Sequence, residues 1–99
     1  MTKIKVTKDH IKNGQKSNCE NCPVALAINV ILKQEYHSAI SVNVISLYNS
    51  EEELKNDFWL PTIKINTPGA AGLFIYKFDR RRIVSPIEFD LDIPKELVA

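Results

Sequence analysis

A chain of 99 residues, of which 44% are apolar and 25% charged, has the size and composition of one globular domain and is too short to bury a second core. Thirteen Lys and Arg against twelve Asp and Glu give a formal net charge of +1, which excludes a global field that would draw the protein to nucleic acid or anionic membrane. No apolar run approaches the roughly 20 residues that span a bilayer, and the N-terminus has no apolar signal region. We therefore expect a single domain over residues 1–99, located in the cytoplasm and not in a membrane.

The N-terminal segment predicts a strand followed by a short helical turn. Residues 3–7 (KIKVT) alternate polar and apolar side chains, as a half-buried strand does. Thr7 can cap the turn that follows, and Asn13-Gly14 can end it, because glycine tolerates the left-handed conformation that closes a helix. Residues 15–21 then form a polar loop.

A long helix is predicted to begin at Cys22-Pro23, since proline fits the first helical position and Asn21 or Cys22 can cap it. We expect it to reach about Glu35. Its sequence is apolar on nearly every side, with a narrow polar stripe at Asn29 and Lys33. A surface helix would have a wider polar face. The pattern indicates a helix covered on several sides, and we expect a homo-oligomer whose interface includes Leu26, Val30 and Ile31.

Two strands with a short helical segment between them are predicted next. Residues 39–48 (AISVNVISLY) are rich in β-branched side chains and alternate, with Ile40, Val42 and Val44 on one side. Ser50 and the glutamates after it resemble a capping box, which predicts one or two helical turns. Residues 58–66 predict a strand that is at an edge or begins after its proline.

The last third of the chain predicts a helix and a strand. Thr67-Pro68 is a cap-plus-proline start, and apolar residues at helical spacing extend to Asp79. Residues 87–93 alternate most clearly, after Pro86. The order β-α-β-β-α-β predicts an α+β fold in which two main helices cover one face of a small, mainly antiparallel sheet of about four strands.

The two cysteines, Cys19 and Cys22, form a C-x-x-C motif at a helix start, where free N–H groups and nearby lysines favour a thiolate. A redox site of this type needs a preceding buried strand, and a polar loop stands there instead. Zinc needs four ligands, and the remaining donors, His10 and His37, are isolated. We interpret Cys22 mainly as a small buried side chain and expect no cofactor.

Two further motifs have residue types that can bind a ligand. The Gly69 to Gly72 stretch at a helix start lacks the lysine of a phosphate-binding loop, so close helix packing explains it better. A basic cluster, comprising Lys77, Arg80, Arg81 and Arg82, can contact phosphate or an acidic partner, or can be a solvated turn beside an acidic strand. Trp59 is either a core residue or an exposed interface anchor.

No catalytic constellation is present in the sequence. The chain has no G-x-S-x-G and no H-E-x-x-H, and its acidic runs have no apolar surroundings that would shift a carboxyl pKa for acid–base work. We therefore expect a protein that is not an enzyme.

Three stretches of the sequence share features with a known group of proteins. The first is Ile4-Lys5-Val6-Thr7, followed by His10-Ile11 and Gly14. The second is Cys22-Pro23-Val24-Ala25-Leu26-Ala27-Ile28, and the third is Phe78-Asp79, followed by Val84, Pro86 and Phe89. Together they resemble a family of small uncharacterised proteins of phages and bacteria. The resemblance implies the same fold and a phage context, and it assigns no activity. Arg80 to Arg82 depart from the family pattern, in which a glycine-containing turn is typical.

These observations together predict a small non-enzymatic binding protein of phage type. It would act in the host cytoplasm, either as an inhibitor of a host defence protein or as a sponge for a small nucleotide signal. The alternative is a nucleic-acid-binding module that uses the basic cluster of Lys77 and Arg80 to Arg82.

Overall fold

The computed structural model describes residues 1–49 and 63–99, and over them the chain is an α+β protein with two antiparallel sheets. Its elements in chain order are β1 Thr2–Val6, α1 Lys8–Asn13, α2 Pro23–Ile31, β2 Tyr36–Ile40, β3 Val44–Asn49, β4 Ile63–Asn66, α3 Gly69–Asp79, β5 Ile87–Leu91 and a 3₁₀ turn Lys95–Leu97. The α+β class is confirmed. The described strands number five instead of about four, and they form one two-stranded and one three-stranded sheet.

The two-stranded sheet joins the two ends of the chain. β1 pairs with β5 in antiparallel register, so that Thr2 lies opposite Leu91 and Val6 opposite Ile87. Ile4, Val6, Phe89 and Leu91 are buried, and the residues between them are exposed. The alternation that predicted both strands therefore reports one buried face of this sheet.

The three-stranded sheet has the order β2-β3-β4. The single strand predicted over residues 39–48 is wrong, because the chain turns between β2 and β3. The Ser41 hydroxyl makes this turn by accepting the Val44 N–H at 2.9 Å and donating to the Val44 carbonyl at 3.0 Å. Apolar alternation continues across the turn, so the sequence pattern does not reveal it.

The third strand of this sheet, β4, begins after Pro61 and is at an edge among the described strands, in agreement with both alternatives predicted for the range 58–66. The earlier part of that range, the helical turns predicted after Ser50, and Trp59 lie outside the described residues.

The apolar helix α2 packs against strands of both sheets and against α1. Of its nine residues, Pro23, Val24, Ala25, Ala27 and Ile28 are buried. Its own chain thus covers it on several sides. Among the proposed interface residues, Leu26 and Ile31 are half-buried, and Val30 is 72% exposed.

The helix α2 ends at Ile31, one turn before the predicted Glu35. Leu32 is extended and forms an antiparallel bridge with Val98. The Lys33 N–H donates to the Leu97 carbonyl at 2.8 Å, and the Ala99 N–H donates to the Ile31 carbonyl at 2.9 Å. The C-terminal residues therefore bind the backbone groups that a longer helix would have used.

The predicted helix α3 is present and ends at Asp79, but it begins at Gly69, one residue after the predicted start at Pro68, and Thr67 does not cap it. Pro68 is the N-cap residue and no side chain caps the helix, because the Thr67 hydroxyl donates instead to the Ser41 carbonyl at 2.9 Å. A Cβ at Gly72 would lie 3.0 Å from the Val42 carbonyl oxygen. Gly72 therefore lets α3 pack closely on the β2–β3 turn.

Candidate binding surface

The basic cluster lies at the C-terminal end of α3, where the chain makes a left-handed turn. The Arg81 N–H donates to the Phe78 carbonyl at 3.1 Å, and the Arg82 N–H donates to the Lys77 carbonyl at 2.9 Å. This is the Schellman arrangement, which places its C′ residue in the left-handed region. That residue is Arg81, with φ of 59°. The position favours glycine, and an arginine there carries local backbone strain of about 1 kcal/mol.

Replacing Arg81 with glycine is expected to stabilise the fold by about 0.5–1 kcal/mol, because glycine adopts this conformation without a Cβ clash. Arg82→Gly is the matched control. Arg82 has no positive φ, so its replacement removes the same charge and should cost about 0.5–1 kcal/mol through added chain entropy. Urea unfolding of both variants measures the difference. Equal destabilisation by the two glycines would contradict the strain at Arg81.

The side chains of the basic cluster spread around the end of α3. The Arg80 guanidinium lies 3.7 Å from the centroid of the Tyr76 ring, in a cation–π contact. Lys16, from the loop before α2, approaches the Phe78 ring to 5.4 Å. The fold thus adds a fifth basic residue to the four that are adjacent in sequence.

The acidic residues of β5 do not neutralise the basic cluster. In the β1–β5 register Lys3 lies opposite Asp90 and Lys5 opposite Glu88, and such opposite-charge pairs stabilise a sheet. The Lys3 ammonium lies 3.8 Å from a Glu88 carboxylate oxygen, which is the one ion pair among the described residues. The acidic strand is therefore matched to lysines of β1.

The carboxylate of Asp79, the last residue of α3, accepts the Ser17 N–H at 2.9 Å. It ties the loop before α2 to the end of α3. Within residues 1–49 and 63–99, no carboxylate lies within 4.0 Å of a charged nitrogen of Lys77 or of Arg80 to Arg82. The basic cluster is open to an external acidic group.

An open groove of about 320 Å³, here called the α3 groove, runs beside the basic cluster. Leu73 and Ile83 stand on its two sides and are 55% and 97% exposed. A second cleft on the other side of Ile83 contains Lys16, Arg81 and Arg82. The residues that line the α3 groove are Ala70, Leu73, Phe74, Lys77, Ile83, Val84, Ser85 and Ile87.

Sequence reasoning missed Leu73 and Ile83 as surface residues. The helical spacing of the apolar residues of α3 does not distinguish exposed Leu73 from its buried neighbours. The available signal was the position of Ile83 directly after three arginines, which is an unusual place for a core side chain.

No protein-family model, curated protein sequence or solved structure matches this chain. The phage-type family resemblance therefore stays a prediction.

The Cys19 and Cys22 side chains lie in different environments. Cys22 is buried and is the N-cap of α2, where its Sγ accepts the Ala25 N–H at 3.4 Å. Burial raises the pKa of the Cys22 thiol, and the Ala25 hydrogen bond opposes this only in part. Cys19 is exposed. Both residues border one cleft of about 340 Å³ together with Ser17 and Asp79.

The described residues contain no group of three or more His, Cys, Asp or Glu side chains placed to hold a metal ion. His10 completes the capping box of α1, since its Nδ1 accepts the Thr7 N–H at 3.0 Å. His37 stacks on Tyr48 with ring centroids 5.5 Å apart. Over the same residues, no helix has the length and apolar character needed to cross a bilayer.

The two thiols are expected to differ in reactivity by about 100-fold or more, because thiolate fraction and access control alkylation. Under native conditions iodoacetamide should add once, at Cys19, and in denaturant twice, as measured by mass spectrometry. In the Cys19→Ser variant, the remaining thiol of Cys22 should react slowly with iodoacetamide under native conditions. Fast native modification of Cys22 would instead support a nucleophilic role for that residue.

Proposed function

We propose that this protein is a non-enzymatic binding protein of phage type that inhibits a host protein by binding to it. The contact surface in this proposal is the basic cluster together with the α3 groove. One observation carries the proposal, namely that Lys77, Arg81 and Arg82 have no carboxylate partner among the described residues and line the two clefts that flank exposed Ile83. Interface cores combine apolar anchors with arginine, and such charges steer association.

The two other ligand classes fit this surface less well. A nucleotide sponge needs a cavity that encloses most of its ligand, whereas the α3 groove is open and Lys77 is the one charged residue among the described residues that line it. Nucleic acid would use the arginines for phosphate contacts and would leave Leu73 and Ile83 without a matching apolar surface. A protein partner uses both the charges and the apolar side chains.

Self-association through α2 is a separate part of the proposal. The observation that supports it is the exposure of an apolar residue of α2, since Val30 is 72% exposed. Leu26 and Ile31, the other residues of this interface, are already half-buried within the chain. Self-association would therefore use a small contact area centred on Val30.

A pull-down from host lysate with quantified partner affinity tests the proposal. The double variant Lys77→Glu/Arg82→Glu should weaken capture of the partner by about tenfold or more. Lys33→Glu/Lys95→Glu changes the net charge equally at exposed positions that line neither cleft, and it should retain the partner. Equal capture by both variants would contradict the proposal. Capture of nucleic acid that weakens steeply with salt would favour the alternative module.

A further inference from the structure

We infer that the α3 groove binds an acidic peptide segment of the partner, with one apolar side chain seated between Leu73 and Ile83 and carboxylates on either side of it. This inference rests on the proposed function and specifies its ligand. The segment would contain an apolar side chain such as leucine and carboxylates such as those of glutamate. The apolar side chain alone would leave the basic residues without a partner, and the carboxylates alone would leave the groove empty.

The apolar part of the inference comes from the shape and lining of the α3 groove. Its volume of about 320 Å³ is at the small end of the range for ligand pockets, which suits a side chain better than a whole ligand. Phe74 is buried along the α3 side, and half-buried Val84 and Ile87 lie on the opposite side. Water against these groups is displaced favourably by an apolar side chain.

The acidic part of the inference comes from where the positive charges lie. Lys77 lines the α3 groove, and Arg81 and Arg82 line the second cleft on the far side of Ile83. An apolar side chain in the groove would therefore have basic groups on two sides. Of the described carboxylates in α3 and β5, Glu88 pairs with Lys3, Asp90 lies opposite Lys3 in the sheet, and Asp79 accepts the Ser17 N–H.

The strained arginine is an independent observation. Arg81 occupies a left-handed position at which glycine would be free of strain, and it lines the second cleft together with Arg82. A charge kept at a cost in stability is typical of a contact residue. Arg81 accordingly contacts a carboxylate of the bound segment.

Three synthetic peptides of equal length test the inference on the intact protein. The first carries a central leucine flanked by glutamates, the second has serine in place of leucine, and the third has glutamine in place of every glutamate. We expect the first to bind, with amide chemical-shift changes at Leu73 and Ile83. The other two should bind about tenfold more weakly or worse, since each loses one class of contact.

Variants of the protein make the test specific to the groove. Ile83→Ser and Arg81→Gly should each weaken the first peptide several-fold, and Arg81→Gly should do so while the fold becomes more stable. Val42→Ser removes another exposed β-branched side chain, one that lines neither the α3 groove nor the second cleft, and it should leave the affinity for the peptide unchanged. Because Ile83 and Val42 are exposed, their variants should keep the unfolding midpoint of the native chain.

The outcomes separate the two proposals. The groove inference is overturned if the leucine and serine peptides bind equally well and Ile83→Ser leaves their binding unchanged. In that case, loss of partner capture by Lys77→Glu/Arg82→Glu would still support binding through charge. Failure of the leucine-glutamate peptide to shift any groove amide overturns the inference even if the pull-down finds a partner. Tighter binding of a deoxythymidine oligonucleotide that displaces the peptide overturns both.

Discussion

Gly14→Ala is expected to destabilise the protein by about 3 kcal/mol, near the upper end of the cost of overpacking a close contact. A Cβ at this position would lie 2.5 Å from Pro23 Cδ and 2.6 Å from the Pro23 backbone nitrogen. Pro23 is buried at the start of α2, and its ring cannot rotate away. Relief of the clash therefore requires α1 and α2 to move apart. In a domain of this size the melting temperature should fall by more than about 10 °C.

Gly69→Ala is the matched control, because a Cβ at Gly69 would have no heavy atom within 4 Å. It should be neutral or stabilising by up to about 1 kcal/mol, since alanine favours the helix. Calorimetry of both variants gives the comparison. Equal melting temperatures would mean that α1 and α2 are further apart at this point.

The sequence suggested that Gly14 supplies a left-handed conformation, but its φ of −71° is ordinary, so closeness to Pro23 is what requires glycine.

Asn29→Ala is expected to cost about 2–3 kcal/mol, because it removes the acceptor for two groups of fully buried Ser38. Asn29 Oδ1 accepts the Ser38 N–H at 2.9 Å and the Ser38 hydroxyl at 2.8 Å. The hydroxyl can turn to the Ala25 carbonyl at 3.4 Å, but the N–H would be left unpaired. Alanine therefore loosens the attachment of α2 to β2.

Asn29→Asp separates hydrogen bonding from side-chain size, because it keeps an acceptor oxygen at the same place. Its negative charge near the C-terminus of α2 is unfavourable by about 1 kcal/mol or less. Chemical denaturation should therefore rank the native protein first, Asn29→Asp second and Asn29→Ala last. An aspartate as damaging as alanine would show that the two hydrogen bonds do not contribute.

The parts of the fold that the sequence predicted correctly are those set by local pattern. Alternation identified β1 and β5, the capping of α1 by Thr7 was correct, and helical spacing identified α3. The end of α2 was wrong because residues 97–99 bind its last backbone groups. A contact between segments so distant in sequence leaves no periodicity. Asn29 was likewise assigned to a polar stripe, although it binds β2.

The sequence predicts which basic residues belong to the candidate surface, but it does not predict whether nearby acids neutralise them. The arginines are visible in the sequence, and so are the acids of β5 that seemed to dilute them. Only the β1–β5 register shows that Lys3 and Lys5 match those acids. The backbone strain at Arg81 also depends on how α3 ends, because its Schellman turn places the C′ residue in the left-handed region. Both features require the three-dimensional structure.

The pairing of β1 with β5 also has a consequence for how the chain folds. Thr2 meets Leu91 in this sheet, so a loop almost as long as the chain has to close before Ile4 and Val6 are covered on that side. Such closure costs entropy before its contacts are gained, and folding slows as contacting residues lie further apart in sequence. During synthesis β1 therefore has no strand partner until residues 87–91 have left the ribosome.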